Sequence, residues 1–342
     1  MAASSPIRTG IIGFGLAGQI FHEPFLSTNP AFRIDVVATA DPARQAIARA
    51  KYVVVDTPAE LLSRAGDLDL VVLASPAHVH LEQGLAALEA GAAVVVDKPF
   101  APSVAQATQL IETAERVGRP LIVFQNRRWD GDFLTLRKLI DSGRLGRIHR
   151  FESTFERYSS QLRDRWQDTT PIEQGAGITF DLGSHLVDQA LQLFGPATLR
   201  RAELRILRDG GASDDDAFLS LEHDSGIISH LTVSRLAAQA GPRFRLLGTE
   251  SAYTVYGLDG QEAALKAGAR PDDPGFGQTP GSAFGLLGGG SRGSALETVP
   301  TEAGNYAAFY AGVASTVRDG APPPVDPRSA LEALRILEQA HS

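Results

Sequence analysis

The sequence has 342 residues, enough for two domains that each bury a core of their own. Its 43% apolar and 21% charged residues are ordinary for a globular protein, and a net charge of −8 excludes broad binding to nucleic acid or an anionic membrane, either of which needs a basic face. The absence of cysteine excludes a disulfide framework and thiolate chemistry; with no apolar run of signal or membrane-spanning length, a cytoplasmic protein is expected.

The chain opens with an apolar run at 7–12, IRTGII, followed at once by Gly13, Phe14, Gly15, Leu16, Ala17 and Gly18. This is G-x-G-x-x-G between a strand and a helix. Its glycines permit a tight turn, close approach of backbone to a pyrophosphate, and close helix–strand packing. Further strands are predicted at 33–39, 69–74, 93–96 and 120–124, with helices around 43–51, 58–65, 79–90 and 103–118. Alternating strands and helices imply a doubly wound parallel sheet whose ligand lies off the carboxyl ends of the strands. Residues 1–125 are therefore expected to form a dinucleotide-binding Rossmann domain.

The end of the second strand bears on which dinucleotide is bound. It carries Thr39 and Ala40 rather than an acid, and Asp41-Pro42 looks like an N-cap and first helical residue. Asp41 is thus read first as a cap and second as a ribose ligand. Arg44 within reach could accept a 2′-phosphate, which favours NADP(H) and leaves NAD(H) as the alternative. After the third strand, Ser75, Pro76 and His80 are expected to line the nicotinamide side of the crevice, with His78 exposed. No ligand set for a metal accompanies the two histidines.

The fourth strand ends VVVDKPF, residues 94–100. Lysine is scarce here: Lys51, Lys98, Lys138 and Lys266 are the only ones among 32 basic residues. A lysine at a strand end can do what arginine cannot, namely give up its proton. Asp97 and Lys98 are accordingly placed beside the cofactor.

Further on, apolar periodicity predicts a helix from about Thr179 to Phe194, placing Asp181 and His185 at i and i+4 on one face. A carboxylate against an imidazole suits a general base, since the acid orients the ring and stabilises its cation. Gly175, Gly177 and Gly183 suggest close backbone approach to a ligand. Asp188 is read as a surface or ordering group. Segments 200–207, 217–223, 227–235, 243–248 and 252–256 alternate with period two and, with 148–157, imply a mostly antiparallel sheet backed by helices. The glycine-rich stretch 271–293 is read as a flexible insertion, and a last helix runs from about Pro327.

Four segments, GFGLAG (13–18), DKPF (97–100), NRRWD (126–130) and GAGITFDLGSHLVDQ (175–189), resemble the glucose–fructose oxidoreductase and inositol dehydrogenase family, known as Gfo/Idh/MocA. The likeness runs in order along almost the whole chain. Longer stretches at 124–136, 155–166 and 256–268 resemble the family's branch of NADP-dependent scyllo-inositol dehydrogenases. The resemblance implies a catalytic triad of Lys98, Asp181 and His185, and a Rossmann domain followed by an α+β domain over 126–342. It also implies a large open-faced sheet that makes homodimers or homotetramers. Two departures stand out: Asp97 where Glu is usual, and Ala77 where many members carry Asn.

The implied reaction moves a hydride between nicotinamide and a secondary alcohol of a cyclic polyol or sugar, most closely scyllo-inositol and its 2-keto form. An aldose dehydrogenase is the nearest rival. Asn126, Arg128, Arg157, Tyr158, Trp166 and Tyr306 are candidates to hold the remaining hydroxyls; Trp166 and Tyr306 could equally be packing, and the arginines could pair with nearby acids. A cofactor-bound sensor on the same fold would keep the glycine loop without the acid–base groups, and retention of all three weighs against it. Neither a metal nor a nucleic-acid or membrane partner is expected.

Overall fold

The runs at 70–73, 93–96 and 121–123 have no polar break and form parallel strands buried on both faces. Strands β1 (Ile7–Ile12), β2 (Phe32–Ala38), β3 (Val53–Val55), β4 (Leu70–Leu73), β5 (Ala93–Val96) and β6 (Leu121–Val123) pair in the order β3-β2-β1-β4-β5-β6. Every pairing is parallel. The order reverses between β1 and β4, so the loops leaving these two strands flank the switch point where doubly wound sheets bind ligands. The computed structural model describes residues 5–163, 166–289 and 295–342.

This sheet belongs to the first of two compact units, formed by Met1–Asn126, Gln261–Phe276 and Tyr306–Leu331. Strand β3 was not foreseen. It is three residues long at a sheet edge, and Val53 is 55% exposed, so its apolar signal is too short to stand out. Helix Tyr306–Asp319 packs Phe309 and Tyr310 against Phe124, with ring centroids 4.9 and 6.2 Å away.

The second unit comprises Arg127–Gly260, Gly277–Asn305 and Glu332–Ser342. Its strands are β7 (Ile148–Glu156), β8 (Ala197–Arg205), β9 (Asp216–His223), β10 (Ile228–Ser234), β11 (Phe244–Gly248), β12 (Ala252–Val255), β13 (Gly285–Gly288) and β14 (Leu296–Val299). They form one sheet in the order β14-β13-β12-β11-β7-β10-β9-β8. Only β7 and β10 pair in parallel; the other pairings are antiparallel. Along β9 and β10 buried and half-buried residues alternate, as expected of a sheet with one covered face. Helix Ser184–Phe194 lies against β7 and β10, where Phe194 meets Phe151 at 5.4 Å between ring centroids.

The glycine-rich stretch does not form a wholly irregular insertion. Residues 281–283 make a 3-10 turn and 285–288 are strand β13, paired on both sides. Glycine is required at 285 because a Cβ there would stand 2.2 Å from the hydroxyl of Tyr253. Residues 290–293 of that stretch lie outside the described residues.

Candidate active site

Within the first unit, the loop after β1 is shaped for close backbone contact. Gly13 has φ of +92°, and a Cβ there would lie 2.5 Å from the Ala74 carbonyl oxygen at the end of β4. A Cβ on Gly18 would meet the Gly13 carbonyl oxygen at 2.3 Å. The Gln19 side chain donates to the Phe14 carbonyl (2.6 Å) and its backbone N–H to that of Gly15 (3.0 Å), closing the turn. Phe14 is buried beneath the loop, whereas Leu16 is exposed. Ala17 starts a π-helical turn, Ala17–His22, that runs into helix Glu23–Thr28. This loop fits a dinucleotide: the glycines bring bare backbone to the surface at a sheet switch point.

Asp41 caps helix Pro42–Arg49, its carboxylate accepting from the backbone N–H groups of Ala43 (2.9 Å) and Arg44 (3.0 Å). Thr39 is buried, and its carbonyl accepts from the Gln45 side chain at 2.8 Å. The Arg44 guanidinium reaches over the glycine loop. A Cβ on Gly15 would stand 3.4 Å from its Nη1.

His80 ties two loops together. Its Nε2 lies 2.9 Å from the Ser75 carbonyl oxygen and its Nδ1 3.2 Å from that of Phe100. The Ser75 hydroxyl donates to Gln83 (2.6 Å), and Pro76 precedes the 3-10 turn Ala77–Val79. Burial pushes His80 below its ordinary range, against the opposing pull of Asp97 and of the nearby carbonyls. His80 therefore joins the segment after β4 to the segment after β5 as a buried neutral ring. The Asp97 carboxylate accepts from the Lys98 backbone N–H at 2.7 Å, and the Lys98–Pro99 peptide is cis. Burial works to raise Asp97, but His22, Lys98 and His80 outweigh it and hold the carboxyl below the usual carboxylate range.

In the second unit, the expected uniform α-helix over 179–194 is divided. Thr179–Gly183 is a π-helical turn and the α-helix begins at Ser184, so Asp181 and His185 are separated by a change of helical register. His185 is buried. Asp181 accepts from the Arg235 guanidinium at 2.5 Å, and both side chains are largely buried, at 15% and 7% exposure. Sequence reading missed Arg235; it is 54 residues away, and only the end of β10 brings it to Asp181. The close approach at Gly177 is to a neighbouring acid: a Cβ there would stand 2.1 Å from Asp214 Oδ1. The other oxygen of Asp214 accepts from the Thr179 backbone N–H (2.8 Å) and from its hydroxyl, anchoring the start of the π turn.

Asn126 is buried at the start of the 3-10 turn Asn126–Trp129. Arg128 is gripped by Asp188 through two hydrogen bonds of 2.9 and 2.6 Å. Asp188 is thus buried and paired: of its two readings, surface or ordering group, the second is the one that agrees with its grip on Arg128. Arg157 lies over the Phe155 ring at 5.1 Å, Tyr158 is exposed, and Trp166 opens the short helix Trp166–Thr169. Tyr306 is fully buried and faces Phe25 with ring centroids 6.2 Å apart, which favours its packing role. Among the described residues, no group of three His, Cys, Asp or Glu side chains could hold a metal, and no helix is long and apolar enough to cross a membrane.

Comparison with known proteins agrees with this architecture. Residues 7–125 match the family model described as oxidoreductase family, NAD-binding Rossmann fold, and residues 133–254 match that of the GFO/IDH/MocA C-terminal domain. The chain is 37% identical to the oxidoreductase YdgJ of Escherichia coli, over 98% of this chain and 95% of that protein. It is 32% identical to the NADP(+)-dependent scyllo-inositol 2-dehydrogenase IolW of Bacillus subtilis, over 98% and 92%. Among solved structures, the oxidoreductase YvaA of Bacillus subtilis superposes with a TM-score of 0.90 at 32% identity, covering 98% of this chain and 95% of that one. The chain belongs to the Gfo/Idh/MocA family of oxidoreductases.

Proposed function

We propose that this oxidoreductase is an NADP(H)-dependent dehydrogenase acting on a secondary alcohol of a cyclic polyol, with scyllo-inositol and its 2-keto form as the leading pair. The observation that carries the reading is a committed carboxylate, Asp181 held by Arg235, three positions before the α-helix that bears the buried imidazole of His185. An imidazole backed by a fixed acid is suited to take a hydroxyl proton. Similarity to IolW supports the polyol class.

The glycine loop 13–18 would hold the pyrophosphate. Asp41 spends its carboxylate on the helix cap, and Arg44 lies beside Gly15, an arrangement that supports a 2′-phosphate over a bare ribose hydroxyl. A bound nicotinamide supplies the acceptor for the substrate's hydride. In the proposed chemistry His185 removes the hydroxyl proton, Asp181 orients the ring, and the Lys98 ammonium hydrogen-bonds the oxygen as charge develops on it. The open face of the eight-stranded sheet is the surface through which we expect dimers or tetramers to form.

The test is a panel of inositols, aldoses and dihydrodiols, each with NADP and NAD, followed by the absorbance of reduced nicotinamide. Reduction of NADP by an inositol is expected. Turnover only with aldoses would move the substrate class. No reduction of either cofactor by any compound, with cofactor binding intact, would favour a sensor.

A further inference from the structure

One buried histidine has no part in the proposed chemistry. His22 ends the π-helical turn that starts inside the glycine loop, and it is wholly inaccessible. Phe124 lies against one side of the ring, with centroids 4.4 Å apart. Its Nδ1 is 2.5 Å from the hydroxyl of Tyr310, which is also buried and arrives from a helix 288 residues further on. Its Nε2 faces Asp97 Oδ2 at 3.7 Å. That separation is longer than a formed hydrogen bond, and Nε2 has no hydrogen-bond partner among the described residues. A buried polar nitrogen left in this way calls for an explanation.

The hydroxyl of Tyr310 supplies one. When the phenol donates to Nδ1, the ring is fixed as the tautomer that carries its proton on Nε2, and that proton points at a carboxylate. Asp97 then has two tasks: Oδ2 faces the imidazole N–H while Oδ1 accepts from the Lys98 backbone N–H. We propose that Tyr310, His22 and Asp97 form a buried positioning relay that orients the Asp97 carboxylate and thereby fixes the backbone from which Lys98 projects. None of the three needs to touch substrate; all are positioning residues. The proposal rests on the reading of Lys98 as the group that meets the substrate oxygen.

The charged and titratable groups around Asp97 are His22 from the π turn, Tyr310 from helix Tyr306–Asp319, His80 from the segment after β4, and Lys98 next along the chain. Of these, His22 acts most strongly to keep the carboxyl ionised, so its removal leaves burial less opposed and moves Asp97 towards its neutral form.

The direct test is side-chain NMR on the full chain with bound NADP(H), using nitrogen-labelled histidine and carboxyl-labelled aspartate. The relay predicts a single His22 tautomer protonated on Nε2 in the wild type and mixed tautomers in Tyr310→Phe. It also predicts an Asp97 titration moved upwards in His22→Leu. In kinetics, His22→Leu should lower kcat roughly 10- to 100-fold, as a displaced acting group does, and shift the acid limb of the kcat profile upwards. KM for the cofactor should stay unchanged, and His22→Gln, which retains a donor, should recover most of the rate. A purely structural role would lower thermal stability and leave the acid limb in place. An Nδ1-protonated His22, or an Asp97 titration unchanged in His22→Leu, overturns the relay. If His22→Leu does not fold, Tyr310→Phe and His22→Gln decide the matter by the same readouts. Lys98→Ala separates the two claims: full turnover in that variant removes the proposed function, whereas its loss beside unaltered His22 variants removes only the relay.

Discussion

Arg44→Ala should change which dinucleotide is preferred far more than it changes catalysis. The guanidinium lies against the glycine loop, 3.4 Å from the point where a Gly15 Cβ would stand, and Oδ1 of Asp41 is engaged by two backbone N–H groups at the helix cap. A hydrogen bond to a charged group is worth about 1.5–3 kcal/mol. Arg44 is 48% exposed and sits 3.6 Å from Asp41, so solvent and that carboxylate both weaken its hold on a phosphate. The lower end applies, about 1.5–2 kcal/mol, which corresponds to roughly a 10- to 30-fold loss in kcat/KM for NADP. The assay is initial-rate kinetics with each cofactor at two salt concentrations. NAD kinetics should change little, and the NADP penalty should shrink as salt screens the pair. Equal losses for NADP and NAD would refute the reasoning.

Three further outcomes follow from the packing. Gly13→Ala puts a side chain at φ of +92° and 2.5 Å from the Ala74 carbonyl oxygen, so it should abolish binding in a fluorescence titration with NADPH and lower the melting temperature. Asp188→Ala leaves the largely buried Arg128 guanidinium without its bidentate carboxylate, and a loss of about 3–5 kcal/mol should appear in urea unfolding of the second unit. His80 is held below its unfolded value of 6.5 chiefly by burial, so the unfolded chain binds the extra proton first. The stability this gives is full above pH 6.5 and is lost as pH falls towards the folded value. His80→Gln should therefore flatten the acid side of a stability–pH curve.

Much of the first unit was legible because its signals are local. Short, largely apolar runs gave β1, β2, β4, β5 and β6 to within a residue or two, and Asp41-Pro42 announced its cap directly. What escaped was short or non-local. Strand β3 has three residues, and β13 lies in a glycine-rich stretch whose strand character comes from neighbours in the sheet. The π turn at Thr179–Gly183 has no periodic signature over five residues. The groups that hold the candidate catalytic residues were the least legible. Arg235 meets Asp181 from 54 positions away and Tyr310 meets His22 from 288, and no spacing rule spans such distances. Spacing along the chain could nominate Lys98, Asp181 and His185, whereas only tertiary structure could reveal what orients them.

Under the proposed chemistry, loss of either Lys98 or His185 disables the oxidation of a polyol alcohol. The most direct measurement compares steady-state turnover and NADP(H) affinity in purified His185→Ala and Lys98→Ala. The account predicts turnover lower by about 10²–10⁴-fold in each variant, with cofactor affinity retained. Wild-type turnover in either one would contradict it.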